Sequence, residues 1–497
     1  MKSYIRVLVV FISFVLQILS LFFLYLIIEN RFPLFRYFYL VFCLYIIFKI
    51  IKDARSYSFI LPWVVIFMIF PIPSSCVYLT MKINKEISGF YKKINKEEKK
   101  SKKYFKQDER IKKMYEKNSS MRYISDFTNY PITNNNKLVY YSLGEYSFDT
   151  MLKELKTAKK FIFLEYFIIG RGKMWDSILE ILEEKVRKGL EVRLIYDDMG
   201  SMKKISNNYY KVLRSKGIKC IPFNRLKLFK GMVLNNRDHR KILVIDGRVA
   251  FSGGINLSDE YININSKYGI WKDNCIKVEG DAVWNYTVMF LSMWNALNKE
   301  DENYEKFKYK FNNNINNGFV VPYSSNPLDG EAVGEDIYLN IINNSNNYLY
   351  IFTPYLIIDS DLKEALILAA KRGVDVRIII PGIPDKKMVY TISESYIQPL
   401  LNNGVKVYKY TPGFIHAKVF ISDDVRATVG TLNMDYRSLY LHFECGCYME
   451  KVDIIEDIKN DVVNTINNSH LLTKKDKKNN IIKSFIQSIL RLFSPLF

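Results

Sequence analysis

Long apolar stretches open the chain, and short apolar runs alternating with amphipathic ones fill the rest. Val7 to Ile28 and Ser56 to Met81 contain no charged residue, and each is long enough as a helix to cross a hydrocarbon core of about 30 Å. Between them Tyr37 to Phe48 is apolar but short, extending to Ile51 only if Lys49 snorkels. The pattern predicts two transmembrane helices, and a third between them, within residues 1–81. No small-residue cleavage site follows the first stretch, which argues against a removed signal peptide. Further on, "KKFIFLEYFII" (159–169) and "NYLYIFTPYLII" (347–358) read as buried strands. Each leads into an amphipathic helix ending at a glycine, Gly189 or Gly373, and then a second strand, "LEVRLIYDD" or "VDVRIIIPG". Each half next adds a helix and a further strand, "KGIKCIPFN" or "NGVKVYKYT". The periodicity therefore predicts two α/β domains of like topology, at 126–310 and 311–473, with mixed sheets flanked by helices.

Charge changes the picture of the remaining segments. The chain carries a net +21, which asks for an anionic partner, either nucleic acid or an acidic membrane surface. Lys82 to Lys117 holds 14 Lys or Arg against 6 Asp or Glu, so 82–125 reads as a basic juxtamembrane linker. Positive flanks stay on the cytoplasmic side of a span and attract anionic headgroups. The expectation is a multi-pass cell-membrane protein with its folded domains in the cytoplasm. The tail, 474–497, is apolar and basic at helical spacing, and suits equally a helix packed on the second domain or one lying on a membrane. Six scattered cysteines form neither a disulfide framework nor a metal ribbon.

Candidate chemistry comes from histidine. The chain has four, and two of them begin matching segments, "HRKILVID" at His239 and "HAKVFISD" at His416. Each has Lys at the second position on, Lys241 or Lys418, and Asp at the seventh, Asp246 or Asp423. Asn256 and Asn433 each follow their His by 17 residues. On a strand, His and Lys two apart project to one face. A lone His on a strand is ordinarily a core or edge residue, but two copies in register are hard to obtain by chance. Imidazole is a competent nucleophile toward phosphorus and a suitable general acid, and a neighbouring ammonium can hold a phosphate oxygen. Asp246 and Asp423 lie an odd number of residues from their His, which on a regular strand turns them away and gives them a structural role.

These paired segments, with "GGIN" and "GTLNMDYRS", resemble the HKD signatures of the phospholipase D superfamily. "VRLIYDDMGS", "WKDNCIKVEG", "RGVDVRIIIPGIPDKK", "TPGFIHAKVF" and the amino-terminal apolar region are similar to bacterial cardiolipin synthases over nearly the whole chain. The resemblance implies a catalytic set of His239, Lys241, Asp246, His416, Lys418 and Asp423, with Asn256 and Asn433 around the phosphate. It implies that Asp273 and Glu444 orient the imidazoles, each supporting the His of the opposite half. Displacement would run through a phosphohistidine, with no cofactor and no metal; no HExxH, Cys/His cluster or nucleotide loop is present. Two departures stand out. Gly254 replaces the usual Ser before Asn256, suggesting that backbone N–H groups suffice there for phosphate contact. Cys275 stands where related enzymes often have His, which puts an acid–base role there in doubt.

The implied reaction joins two phosphatidylglycerols into cardiolipin with loss of glycerol. Its competitors are a hydrolytic phospholipase D and a nuclease, which the same His/Lys pairs and the positive charge would suit. The predicted spans favour anionic lipid over nucleic acid as the partner; oligomeric state leaves no mark on the sequence. Tyr355, Arg193 and Arg377 invite functional readings that strand ends and helix packing explain equally well.

Overall fold

The computed structural model describes residues 89–225 and 236–473, apart from 265–266, 299, 313–314, 316 and 329. It also describes 34–53, 57–69, 476, 481–496 and isolated positions before 79. The first predicted span lies largely outside these residues. Leu34–Asp53 is a helix whose last turns carry Lys49, Lys52 and Asp53, and Ile60–Ile69 is a helix of 10 residues. Pro71 and Pro73 follow it in sequence, and proline disfavours helix in the residue before it. Among the described residues no helix is long and apolar enough to cross a membrane. The two pack on each other through Cys43, Ile46, Ile50 and Phe67, leaving Leu34, Phe38, Val41, Leu44 and Phe48 exposed.

Two mixed sheets organise the rest. The first orders its strands Asn136–Tyr141, Cys275–Gly280, Val249–Gly253, Lys241–Ile245, Phe161–Tyr166, Glu191–Asp197 and Lys219–Phe223. The second runs Phe319–Ser325, Glu444–Glu450, Arg426–Gly430, Val419–Ser422, Tyr348–Phe352, Asp375–Pro381, Lys406–Tyr410 and Ser469–Leu471. Apart from its extra edge strand, the second sheet repeats the first position for position. In both, the strand after His-x-Lys lies in the middle and pairs antiparallel on either side. The strand–helix–strand units supply the parallel pairs, Phe161–Tyr166 with Glu191–Asp197 and Tyr348–Phe352 with Asp375–Pro381.

The pleat explains why these segments read as near-continuous apolar runs. Phe161, Phe163, Ile242, Val244, Ile276 and Val278 belong to a core shared with the second sheet. Ile162, Leu164, Leu243, Ile245 and Phe251 belong to a separate core on the other face. Both faces of the strands are covered, so both parities must be apolar. The helix Val283–Asn298 is buried around most of its circumference and packs on the strand Phe319–Ser325 of the second sheet, as well as on the first sheet and the helix Gly89–Ser101. Backbone pairing also crosses between halves, with Gly413–Ile415 parallel to Ile270–Lys272 and a bridge from Asp238 to Phe443.

The tail helix Ile481–Leu492 packs one face on the helix Lys387–Asn402 through Lys483–Glu394 (2.7 Å) and Arg491 over the Tyr396 ring. Ile482, Phe485, Ile486 and Ile489 on it stay exposed. Arg193 is an internal tie, ion-paired to Glu191 and Glu302, and Arg377 pairs with Asp375 (2.6 Å).

Candidate active site

The two crossing backbone contacts deliver the site. The bridge at Asp238 lets the His239 N–H donate to the Phe443 carbonyl (2.8 Å). The next residue along that partner strand is Glu444, whose carboxylate lies 2.9 Å from His239 Nδ1. The other crossing repeats the arrangement. Strand Gly413–Ile415 runs beside Ile270–Lys272, the His416 N–H donates to the Lys272 carbonyl (2.7 Å), and Asp273 Oδ2 lies 2.6 Å from His416 Nδ1. Each imidazole is thus gripped by a carboxylate of the opposite half. With Nδ1 engaged, Nε2 is the nitrogen left for chemistry. Both rings are nearly enclosed, at 8% and 7% exposure, with Phe167 edge-on to His239 and Tyr261 edge-on to His416.

Electrostatics follow from that enclosure. Lys241 Nζ donates to the His239 carbonyl (2.6 Å), and Lys418 to the carbonyl of His416 and to within 3.0 Å of its Nδ1. Burial lowers Lys241 to about 8, offset in part by Glu444. Burial lowers Lys418 to about 7, with the Lys241 charge adding to the effect. His239 is held well below its ordinary value by burial, then by Lys241. His416 falls to about 4 for the same reasons, despite Asp273. Burial pushes Glu444 up to about 8. Asp273 goes the other way, because His416 and Lys418 outweigh its burial. The site is therefore four interacting basic groups and two carboxylates with little solvent. An anionic phosphodiester would supply the charge they lack.

Asp246 and Asp423 do not reach this centre, although they belong to the signature. Each sits in the tight turn after the His-x-Lys strand, at φ 55° and 57°. That left-handed region is one aspartate tolerates better than most residues. The Asp246 carboxylate accepts the N–H groups of Lys159, Lys160 and Phe161 (2.7–2.9 Å). Asp423 accepts those of Asn346, Asn347 and Tyr348 (2.7–2.9 Å). Both clamp the start of the neighbouring strand.

The expectation for Gly254 is corrected. Its N–H donates to the Asn274 carbonyl (3.0 Å) and is not free for a phosphate. The missing hydroxyl has a steric cause: a Cβ at Gly254 would lie 1.9 Å from Asp273 Oδ1. In the second half Thr431 occupies the equivalent place, and its hydroxyl donates to Glu444. Asn256 is held on both sides, accepting from the Ile168 N–H (3.0 Å) and donating to Tyr261 Oη (2.7 Å). Asn433, also buried, has no hydrogen-bond partner for Oδ1 among the described residues. Cys275 is buried in the first domain's core, where desolvation raises its thiol pKa. Tyr355 donates to Asp385 (2.7 Å).

Sequence reading missed several neighbours. Arg240 donates to Ser324 Oγ (2.5 Å), which donates to the Glu444 carbonyl (3.1 Å), tying the two strands that carry His239 and its carboxylate. His442 lies with its ring centre 6.0 Å from that of His239, so three of the four histidines gather here. Arg437 follows Asp435 on the short helix Tyr436–Tyr440, and its carbonyl accepts the His442 N–H (2.8 Å). The only signal for His442 was its place two residues before Glu444. Among the described residues, no group of three or more His, Cys, Asp or Glu is placed to hold a metal ion.

Comparison with known proteins places the chain. Residues 151–294 and 338–465 match the model of the cardiolipin synthase, phospholipase D-like domain family. A Streptococcus mutans protein without an assigned function is 48% identical over 76% of this chain and 82% of its own length. A cardiolipin synthase of Halalkalibacterium halodurans is 32% identical over 90% of each chain. Among solved structures, a phosphatidylserine synthase of Haemophilus influenzae is similar in fold, with TM-score 0.57 and 13% identity over 76% of this chain and all of its own. The matched segments include both His-x-Lys pairs and the two carboxylates that meet the imidazoles, Asp273 and Glu444, and the chain belongs to the cardiolipin synthase family of phospholipase D-like proteins.

Proposed function

We propose that the chain is a phosphatidyltransferase that joins two phosphatidylglycerols into cardiolipin and releases glycerol. In the first step Nε2 of one histidine, taken as His239, attacks the donor's phosphorus. The bond from phosphorus to the glycerol oxygen breaks, and His416, whose imidazolium the charge of the bound phosphodiester stabilises, gives that oxygen a proton. In the second step the acceptor's glycerol hydroxyl attacks the phosphohistidine, the P–N bond breaks, and His416 takes up the hydroxyl proton. Lys241 and Lys418 would offset charge on the phosphate oxygens, while Glu444 and Asp273 hold the imidazoles in register. One phosphodiester replaces another, so no external energy source is needed. The carrying observation is the pairing of each imidazole with a carboxylate of the opposite half, His239 with Glu444 and His416 with Asp273.

A membrane location fits the substrate. The uncharged stretches 7–28 and 56–81, the basic 82–117 segment and the exposed apolar faces of Leu34–Asp53 and Ile481–Leu492 all support it, with the catalytic halves on the cytoplasmic side. The test is to incubate the purified full-length protein with phosphatidylglycerol and resolve the lipid products, assaying glycerol in parallel. Cardiolipin and glycerol in equal amounts are expected; phosphatidic acid as the main product would make it a hydrolase.

A further inference from the structure

Making cardiolipin brings two phosphodiesters into one site: the donor's, which is attacked, and the acceptor's, one glycerol bridge away. The His/Lys set accounts for the first alone. We propose that Arg437, with His442 beside it, binds the phosphodiester of the acceptor phosphatidylglycerol. This assignment rests on the transferase reading above.

Arg437 is an unusual guanidinium. It is only partly exposed, and its Nε is buried without a hydrogen-bond partner. Among the described residues its side chain forms no ion pair within 4.0 Å. Asp435, whose charge it feels, uses its carboxylate to accept the Ser438 N–H (2.8 Å). Arg237 adds a second positive charge nearby. A largely desolvated guanidinium without a carboxylate is costly unless an anion completes it. Arginine is also the side chain whose planar fork suits two phosphate oxygens at once.

Position supports the same ligand. His442 feels the charges of Arg437 and of Lys241, and its ring lies beside that of His239. It therefore adjoins both the donor's phosphate set and Arg437, so a phosphate on each would be linked past this ring by the bridging glycerol of the product. His442 is itself partly exposed, so its ring borders the space a substrate would enter. The helix Tyr436–Tyr440 also meets the apolar amino-terminal region, with Phe59 edge-on to Tyr436 (5.5 Å) and Tyr440 (5.3 Å). That contact offers acyl chains an apolar approach to Arg437.

The test separates the two acceptor classes. Full-length wild type and Arg437→Gln are assayed on phosphatidylglycerol vesicles with and without ethanol, an acceptor that has no phosphate. Cardiolipin formation should fall by about tenfold or more, the loss expected for a charge-assisted hydrogen-bond pair. Phosphatidylethanol formation should stay within about twofold, because the donor half-reaction does not use this arginine. Arg437→Lys should recover part of the cardiolipin activity, and His442→Gln should shift the product ratio in the same direction as Arg437→Gln. Equal loss with both acceptors at an unchanged melting temperature, or no loss with either, overturns the assignment. If Arg437→Gln melts early, the product ratios of Arg437→Lys and His442→Gln decide instead, and an unchanged ratio in both overturns it. Wild type that forms phosphatidylethanol but no cardiolipin would instead sink the cardiolipin-forming reading, and this inference with it.

Discussion

His239 and His416 occupy equivalent places just ahead of the central strands Lys241–Ile245 and Val419–Ser422, yet their carboxylates are not equivalent, one a glutamate beside Thr431 and the other an aspartate beside Gly254. The longer acid leaves room for a threonine; the shorter one fills the space where a Cβ would stand. Gly254→Ala should push Asp273 off His416 and cost about 10²-fold in turnover, the scale of an ångström-sized misplacement. Normal activity with an intact fold would contradict this. His239→Ala and His416→Ala should each lower turnover by at least about 10³-fold. Acid-labile phosphate trapped from donor in a quenched reaction should sit on His239; recovery on His416 reverses the order of attack. A pH dependence follows from the lysines. Burial brings Lys418 to about 7 and Lys241 to about 8, below lysine's ordinary value. A lowered pKa means the ammonium is present at acid pH and lost as pH rises through those values. In the free enzyme, kcat/KM should therefore begin to decline near pH 7, as Lys418 loses its charge, and fall further above about pH 8 as Lys241 follows. A profile level into the lysine range would show that these amines are not the phosphate ligands.

At the scale of elements, the turns carrying Asp246 and Asp423 do work that the strand alone cannot. Each closes a hairpin on the central strand and caps three N–H groups at the start of the adjacent one. Asp246→Ala removes a charged acceptor and leaves alanine at positive φ, and should destabilise the protein by about 2 kcal/mol. Asp246→Asn retains an acceptor and tolerates the conformation, so its melting temperature should fall between alanine and wild type. Equal melting temperatures for all three would remove the clamp. The tail helix shows the same division within one element, with one face spent on the helix Lys387–Asn402 and the other left apolar and exposed.

The whole molecule is a pseudo-symmetric pair in which the imidazole of each half meets a carboxylate of the other. Expressed separately, 126–310 and 311–473 should each be inactive, because each would contain an imidazole without its carboxylate. Activity in either fragment alone, assayed as cardiolipin formed from phosphatidylglycerol, would refute a shared centre. The halves are also bound by core, since Val283–Asn298 packs against strands of both sheets. Separated halves would expose that apolar surface and should associate or aggregate.

The repeated strand–helix–strand pattern, the His-x-Lys pairs and their matching distances to asparagine were legible in the sequence. Local chemistry writes part of this directly: glycine ends the helices and apolar runs mark strands covered on both faces, while His239 and His416 prove to sit just ahead of the strands rather than on them. A structural role for Asp246 and Asp423 was legible too, although the turn beyond the strand, not strand parity, sets their direction, and their N–H partners, 85 to 87 and 75 to 77 residues away, were not legible. Only the tertiary structure decided why Gly254 has no side chain, which strand ties Arg240 to Glu444, and that His442 stands beside His239 with Arg437 next to it in turn. The first depends on a strand neighbour 19 residues on within the same half, the others on contacts across the two halves, and an alternation of apolar and polar positions carries no record of what lies beside or behind a strand. Sequence wrote the elements and their inward faces; the crossing of the two sheets chose which side chains share a charge, a proton and a substrate.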